Sequence, residues 1–196
     1  MSTYPPLALR TAVSGGVRLC RPQQDQPAIT LDSPALLVMT DLTRVSAAVA
    51  LPGMTVHEAN RYMIQRGVRM LLVLDEQELL IGLITATDIL GEKPVTLARE
   101  RGVRYSDVLA MDVMTPANRL DAFEFQTVAG ACVGQVVESL QRTRRHHALV
   151  TQPSAEGGTE VRGLFSLSQI ARQLGTPLNL PEAANSFAEI GAALAH

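Results

Sequence analysis

The chain has 196 residues, of which 46% are hydrophobic, and a formal net charge of −2. This hydrophobic content excludes a mostly disordered chain, and the near-neutral charge argues against a dedicated nucleic-acid binder, which usually carries a basic excess. The length suits one compact domain, or two half-size units that share a core.

Neither cysteine, Cys20 or Cys132, belongs to a CxxC pair or a Cys/His cluster, so we predict no zinc site and no disulfide framework. A disulfide between the two stays open, although a pair of cytoplasmic thiols is the simpler interpretation. Residues 1–10 lack the charged region and apolar run of a signal peptide. No apolar stretch approaches the roughly 20 residues that span a bilayer. We therefore expect a cytoplasmic protein without a membrane segment.

Residues 1–33 contain scattered prolines and glycines, and no helical or strand period persists in them. This composition predicts an extended N-terminal arm, with one short strand near residues 28–31.

Two stretches, residues 34–92 and 112–175, repeat one order of predicted elements. They open with the similar segments Val38-Met39-Thr40 and Val113-Met114-Thr115. Each continues with a helix, two strands and a last helix, and residues 93–111 form a polar linker with a helical pattern. One such unit buries too little apolar surface to be stable by itself. We therefore predict an α/β (α+β) fold, in which tandem β-α-β-β-α repeats pack with pseudo-twofold symmetry.

The bounds of these elements follow from apolar periodicity and from Gly, Pro and polar turns. We predict the main helices at 56–66, with Gly67 as the stop, and from 133 to about 145. The predicted strands are 68–74, 79–84, 147–151 and 161–165, and the last helices begin at 87 and run over 168–174. The spacing of apolar residues within 176–196 predicts a terminal amphipathic helix, which docks on the chain itself or on a second copy.

The segment from Gly82 to Leu90 places a hydroxyl and an acid where a strand gives way to a helix. Thr85 and Thr87 could donate to an anion at the helix N-terminus, and ionised Asp88 could accept hydrogen bonds from sugar hydroxyls. The alternative is structural: Thr85 and Asp88 have the spacing of a helix capping box.

The same segment resembles the strand–helix signature of cystathionine-β-synthase (CBS) domains, Gly and two apolar residues followed by Thr-x-x-Asp. The segment 112–116 resembles the Met-Thr-Pro opening often seen in that family, and 55–59 resembles its first-helix start. The resemblance covers about residues 34–175. It implies a CBS pair, or Bateman module, with two related clefts that commonly hold AMP, ADP, ATP or S-adenosylmethionine. It also implies a homodimer.

By this resemblance, Thr85 and Thr87 match positions that contact ligand phosphate, and Asp88 matches the carboxylate that binds ribose. The openings of the repeats match the region that lines the base pocket. We expect Asp88 to share its cleft with Met114 and Thr115.

The other cleft is expected to combine Ser166 and Ser168 with Met39 and Thr40. Here Gln169 stands where the first copy has its acid. An amide forms weaker hydrogen bonds with sugar hydroxyls than a charged carboxylate does. We therefore predict unequal sites, with the Asp88 cleft the better one for a nucleoside.

A basic cluster precedes the second repeat's first long strand. Arg145, His146 and His147 match positions that often face the phosphates in the family, and His146-His147 aligns with Arg69-Met70 of the first copy. The cluster also contains Arg142 and Arg144, and for these the alternative is that they lie in solvent in the last turn of a helix. A metal site is not predicted here, because adjacent strand residues point to opposite faces.

No nucleophile with an oriented base is visible, so we expect no enzymatic activity and no required cofactor. The leading hypothesis is a stand-alone sensor that binds an adenosine-containing ligand and signals to an effector protein not identified by the sequence. The alternative is a dimerisation scaffold with empty or self-plugged clefts. A nucleic-acid role through the basic cluster is the weakest hypothesis, because interleaved aromatic residues are lacking.

Overall fold

A computed structural model describes residues 28–178. The strands are β1 Thr40–Asp41, β2 Val49–Ala50, β3 Met70–Leu74, β4 Leu80–Thr85, β5 Thr115–Pro116, β6 Ala122–Glu124, β7 His147–Pro153 and β8 Thr159–Ser166. The α-helices are α1 Val56–Arg66, α2 Ala86–Leu90, α3 Glu92–Arg101, α4 Ala110–Val113, α5 Phe125–Ala129, α6 Val133–Arg142 and α7 Leu167–Leu174.

The strands form two four-stranded sheets, with orders β2-β3-β4-β5 and β1-β8-β7-β6. In each sheet one edge strand comes from the opening of the other repeat. Leu83 of β4 faces Thr115 of β5 in an antiparallel pair, and Leu164 of β8 faces Thr40 of β1 in the same way. The repeats are therefore joined by an exchange of their opening strands.

The residues that precede each exchanged strand also pack against the other repeat. The Val56 N–H at the start of α1 donates to Val108 O at 2.8 Å, and the Val133 N–H at the start of α6 donates to Ser33 O at 2.8 Å. The second half of the predicted linker thus completes the first unit.

Apolar side chains form one core in each unit and a third between the sheets. The third cluster consists of Leu72 and Leu83 from one sheet with Leu149 and Leu164 from the other, each at most 6% exposed. Burying one leucine contributes about 1.5–3 kcal/mol, so this cluster holds the two sheets together.

Helix α1 has the predicted bounds. Thr55 accepts from the Glu58 N–H, the Glu58 carboxylate accepts from the Thr55 N–H, and Gly67 ends the helix with φ 64°. This capping box and left-handed C-terminal glycine are local signals that need no tertiary contact.

Other bounds differ from the predictions. The strand predicted at residues 28–31 is wrong: the segment turns, because the Thr30 N–H donates to Ser33 Oγ and the Ser33 N–H donates to Thr30 O. Helix α6 ends at Arg142 rather than near Arg145. The chain leaves the helix there because Arg144 adopts φ 55°.

The predicted arm lies outside the described residues up to position 27, and the predicted terminal helix does so from position 179. Among residues 28–178, no helix has the length and apolarity to span a bilayer.

Candidate functional site

Thr85 and Asp88 form a reciprocal capping box at the junction of β4 and α2. Asp88 Oδ2 accepts from the Thr85 N–H at 2.8 Å and from Thr85 Oγ1 at 2.7 Å, while the Asp88 N–H donates to Thr85 Oγ1 at 3.2 Å. Within residues 28–178, Asp88 Oδ1 accepts no hydrogen bond. Thr87 is exposed and Asp88 half-buried. The capping interpretation therefore describes the structure, and it leaves one carboxylate oxygen available to a ligand.

Met114 and Thr115 lie against the same strand because Gly82 has no side chain. A Cβ at Gly82 would stand 2.5 Å from Met114 Sδ and 2.8 Å from Thr115 O. Side chains alternate along a strand, so Thr115 and Thr85 share the face of Leu83, which packs between the sheets. The structure thus brings the exchanged opening strand beside the Thr85–Asp88 junction.

His147 of the second repeat lies within electrostatic range of Asp88. It is half-buried and lies two residues before Leu149 on β7, so it faces the other sheet. Burial lowers the pKa of His147, the neighbouring His146 lowers it further, and the negative charge of Asp88 opposes both effects. His146 and Arg69 are exposed. His147 is thus a predicted basic residue whose surroundings include Asp88.

A cavity of about 540 Å³ opens beside β5. This volume lies within the range typical of ligand sites. The residues that line the cavity are Lys93, Met114, Thr115, Pro116, Asn118, Arg119, Leu120, Asp121 and Arg145.

The charged residues that line this cavity are mainly cationic. Lys93 Nζ donates to Val113 O at 3.0 Å, and Arg145 Nε donates to Asp121 Oδ2 at 2.6 Å. Within residues 28–178, the Arg119 guanidinium has no hydrogen-bond or ion-pair partner. Three cations against one carboxylate make the cavity suited to an anionic ligand.

The second junction is arranged differently. Thr40 Oγ1 donates to Gln169 Oε1 at 3.3 Å, and the hydroxyls of Ser166 and Ser168 lie 3.0 Å apart. Ser166 makes no side-chain cap on α7. Gln169 therefore contacts the exchanged strand, whereas Asp88 bonds within its own junction. Met39 is buried beside Gly163, just as Met114 lies beside Gly82.

Sequence reasoning did not find three charged residues of the cavity, Lys93, Arg119 and Asp121. Lys93 follows Asp88 by five positions in the predicted linker, and the other two follow the Met-Thr-Pro opening within six residues. Proximity to the motifs was the available signal, but only the exchange of strands shows that these segments meet. The structure brings together Met114, Thr115 and Arg145 of the predicted residues around one cavity. Across residues 28–178, no group of three metal-ligating side chains occurs.

The fold and the paired junctions define a tandem α/β repeat protein in which two units exchange their opening strands. Residues 38–94 match the family model of the CBS domain. This match covers the first repeat and agrees with the CBS resemblance of the sequence. The predicted mixed α/β fold is confirmed.

Two solved structures have the same fold. One is an uncharacterized conserved protein from Pyrococcus horikoshii, 22% identical, with a TM-score of 0.53 over 78% of this chain and 100% of that chain. The other is the CBS domain of the bacterial CNNM/CorC family Mg²⁺ transporter in complex with the inhibitor IGN95a. It is 16% identical, with a TM-score of 0.51 over 76% of this chain and 80% of that chain. The comparison with curated protein sequences gives no match.

Proposed function

We propose that this protein is a regulatory module that binds an adenosine-containing ligand, AMP, ADP, ATP or S-adenosylmethionine, in the cleft beside Asp88. The observation that carries the proposal is the cation-lined cavity at Thr115. Thr115 lies on β5, which pairs with β4, the strand that ends at Thr85. In this proposal the protein has no catalytic activity of its own and acts through an effector protein.

Different residues of the cleft would contact the ribose, the phosphates and the base of a nucleotide. Asp88 Oδ1 would accept from ribose hydroxyls, as an ionised carboxylate does in dinucleotide folds. The cationic lining would hold the phosphates, and Arg145 can do so with two parallel hydrogen bonds. The apolar Met114 and the backbone of β5 would border the base.

A ligand in this cleft would contact both repeats. Asp88 belongs to the first repeat, while Thr115 and Arg145 belong to the second. A ligand shifts a conformational equilibrium only by its differential affinity for the two states. We propose that the arrangement of the repeats in a homodimer is the equilibrium that the ligand biases and that the effector reads.

The second cleft is proposed to be the weaker site. Its Gln169 amide oxygen already accepts a hydrogen bond from Thr40, which leaves it one lone pair for a ligand and fixes the amide toward the exchanged strand. This contact also supports the alternative function, a dimerisation scaffold, for the second cleft.

Isothermal titration calorimetry of ligand-free protein with each of the four ligands tests the proposal. We expect the Asp88→Asn variant to bind about 10- to 100-fold more weakly, because the amide loses charge-assisted hydrogen bonds to the sugar. The matched control is Asp107→Asn, since Asp107 is a partly exposed acid paired with Arg104 away from the cavity. Absence of binding by all four ligands to a folded homodimer would favour the scaffold instead.

A further inference from the structure

Asp121 occupies an unusual position in the cleft, because it is the one carboxylate in the cavity lining among the described residues. It lies just after the 3-10 turn Ala117–Arg119 and before β6. Its Oδ2 accepts from Arg145 Nε at 2.6 Å. The pair therefore neutralises one of the three cations that line the cavity.

The contact between Asp121 and Arg145 is open to exchange. Their side chains are 50% and 46% exposed, and exposed ion pairs are weak because water screens them. A phosphate group carries more charge than a carboxylate and matches the planar guanidinium equally well. An anionic ligand can therefore replace Asp121 on Arg145 without desolvating a buried acid.

We propose that Asp121 is an internal competitor for the anion-binding part of the cleft. In the ligand-free protein it holds Arg145, and the phosphate of a ligand displaces it. After the exchange, the carboxylate remains near the bound phosphate and repels it. Asp121 thereby lowers the affinity for phosphorylated ligands and leaves the affinity for uncharged adenosine almost unchanged. This inference rests on the function proposed above, and it names the residue that sets the preference for charge at that site.

Binding of pyrophosphate, ADP and adenosine to wild-type protein and to Asp121→Asn tests this inference, in low-salt buffer because salt screens exposed charges. We expect Asp121→Asn to bind pyrophosphate and ADP about 3- to 10-fold more tightly. The affinity for adenosine should change less than about twofold, since adenosine carries no charge for Asp121 to repel. The control Asp107→Asn removes the same charge from an Arg–Asp pair outside the cavity, and it should change none of the three affinities.

A double-mutant cycle separates local competition from a general change in charge. In an Arg145→Gln background, Asp121 has no guanidinium to hold and only its direct repulsion of the bound phosphate remains, so we expect the gain from Asp121→Asn to be clearly smaller than with Arg145 present. A gain that persists fully in that background would overturn the competitor role. So would Asp121→Asn binding both phosphorylated probes no more tightly than wild type.

The outcomes also distinguish this inference from the proposed function. If pyrophosphate binds, and binds more tightly to Asp121→Asn, while adenosine and all four proposed ligands do not bind, the competitor is supported and the nucleotide function fails. If ADP binds equally to both proteins, the nucleotide function stands and the competitor is overturned. If no probe binds to either protein, the competitor is overturned, and the nucleotide function is overturned as well when AMP, ATP and S-adenosylmethionine also fail to bind.

Discussion

Glycine is required at the equivalent motif position of both repeats for one steric reason. A Cβ at Gly163 would lie 2.6 Å from Thr40 O and 3.1 Å from Met39 Sδ, which matches the situation of Gly82 against Met114 and Thr115. Neither glycine has a positive φ, so close approach of the exchanged strand, rather than backbone conformation, demands the missing side chain. The motif glycine thus belongs to the strand exchange.

We expect Gly82→Ala to lower the free energy of unfolding by about 1–3 kcal/mol, because the added methyl must push back backbone atoms of β5. Chemical denaturation measures the change. Gly130→Ala is the control, since Gly130 has φ −99° and an added Cβ would find nothing within 4 Å. Equal effects of the two substitutions would contradict the steric explanation. Because β5 carries Thr115, Gly82→Ala should also weaken ligand binding.

The exchanged strands are short elements that side chains hold in place. β1 has two residues, and Asp41 of β1 accepts two hydrogen bonds from Arg162 of β8, each 3.0 Å long. The Arg162 guanidinium also lies 4.8 Å from the centroid of the Phe125 ring. Hydrogen bonds from Arg162 and Thr43 hold the pKa of Asp41 well below its ordinary value of 3.8. The ionised form of Asp41 is therefore the one that stabilises this junction.

We expect Asp41→Asn to destabilise the protein at pH 7 by about 1 kcal/mol, because the amide keeps one acceptor and loses one hydrogen bond to the guanidinium. The unfolded chain takes up the Asp41 proton near pH 3.8, whereas the folded protein takes it up only at lower pH. The stabilisation is thus complete above that value and disappears as the pH falls below it. Denaturation of both proteins between pH 7 and pH 3 measures the difference, which should shrink at the acid end. A difference that stays constant to pH 3 would refute the assignment to the charge of Asp41.

The elements that could be predicted are those with local signals. Helix α1 carries its own cap and its terminal Gly67, and the long strands β3, β4, β7 and β8 were found as apolar runs. The repeated openings locate the two-residue strands β1 and β5, but no local pattern shows that each joins the sheet of the other repeat. They form because the other repeat offers an unpaired sheet edge, which is a tertiary effect.

The candidate site follows the same division. The strand–helix signature predicts Thr85 and Asp88 as site residues, and the Met-Thr-Pro opening predicts Thr115. They did not point to Arg119 or Asp121, whose place in the cavity depends on where the segment after β5 passes the other repeat. The hydrogen bond between Thr40 and Gln169 is likewise a contact across 129 positions, and no local pattern predicts it.

At the scale of the whole molecule, the interface between the sheets combines apolar contacts with a titratable side chain, His147. Leucines from both sheets form the apolar part. His147 lies on the same face of β7, and burial and His146 lower its pKa below the ordinary value of 6.5, while the charge of Asp88 opposes them. Protonation of this one side chain therefore places a charge between the two repeats.

The lowered pKa of His147 predicts that acid loosens this interface. As the pH falls below about 6.5, the unfolded chain binds the proton before the folded protein does, so the free energy of unfolding decreases. The decrease stops once the pH is below the pKa of His147 in the folded state. Denaturation midpoints between pH 8 and pH 5 measure it. His147→Gln should flatten this pH dependence, because glutamine does not titrate, whereas His146→Gln alters an exposed side chain and should keep most of it. If wild type and His147→Gln lose stability in parallel, the pH response arises elsewhere, and His147 does not couple protonation to the packing of the repeats.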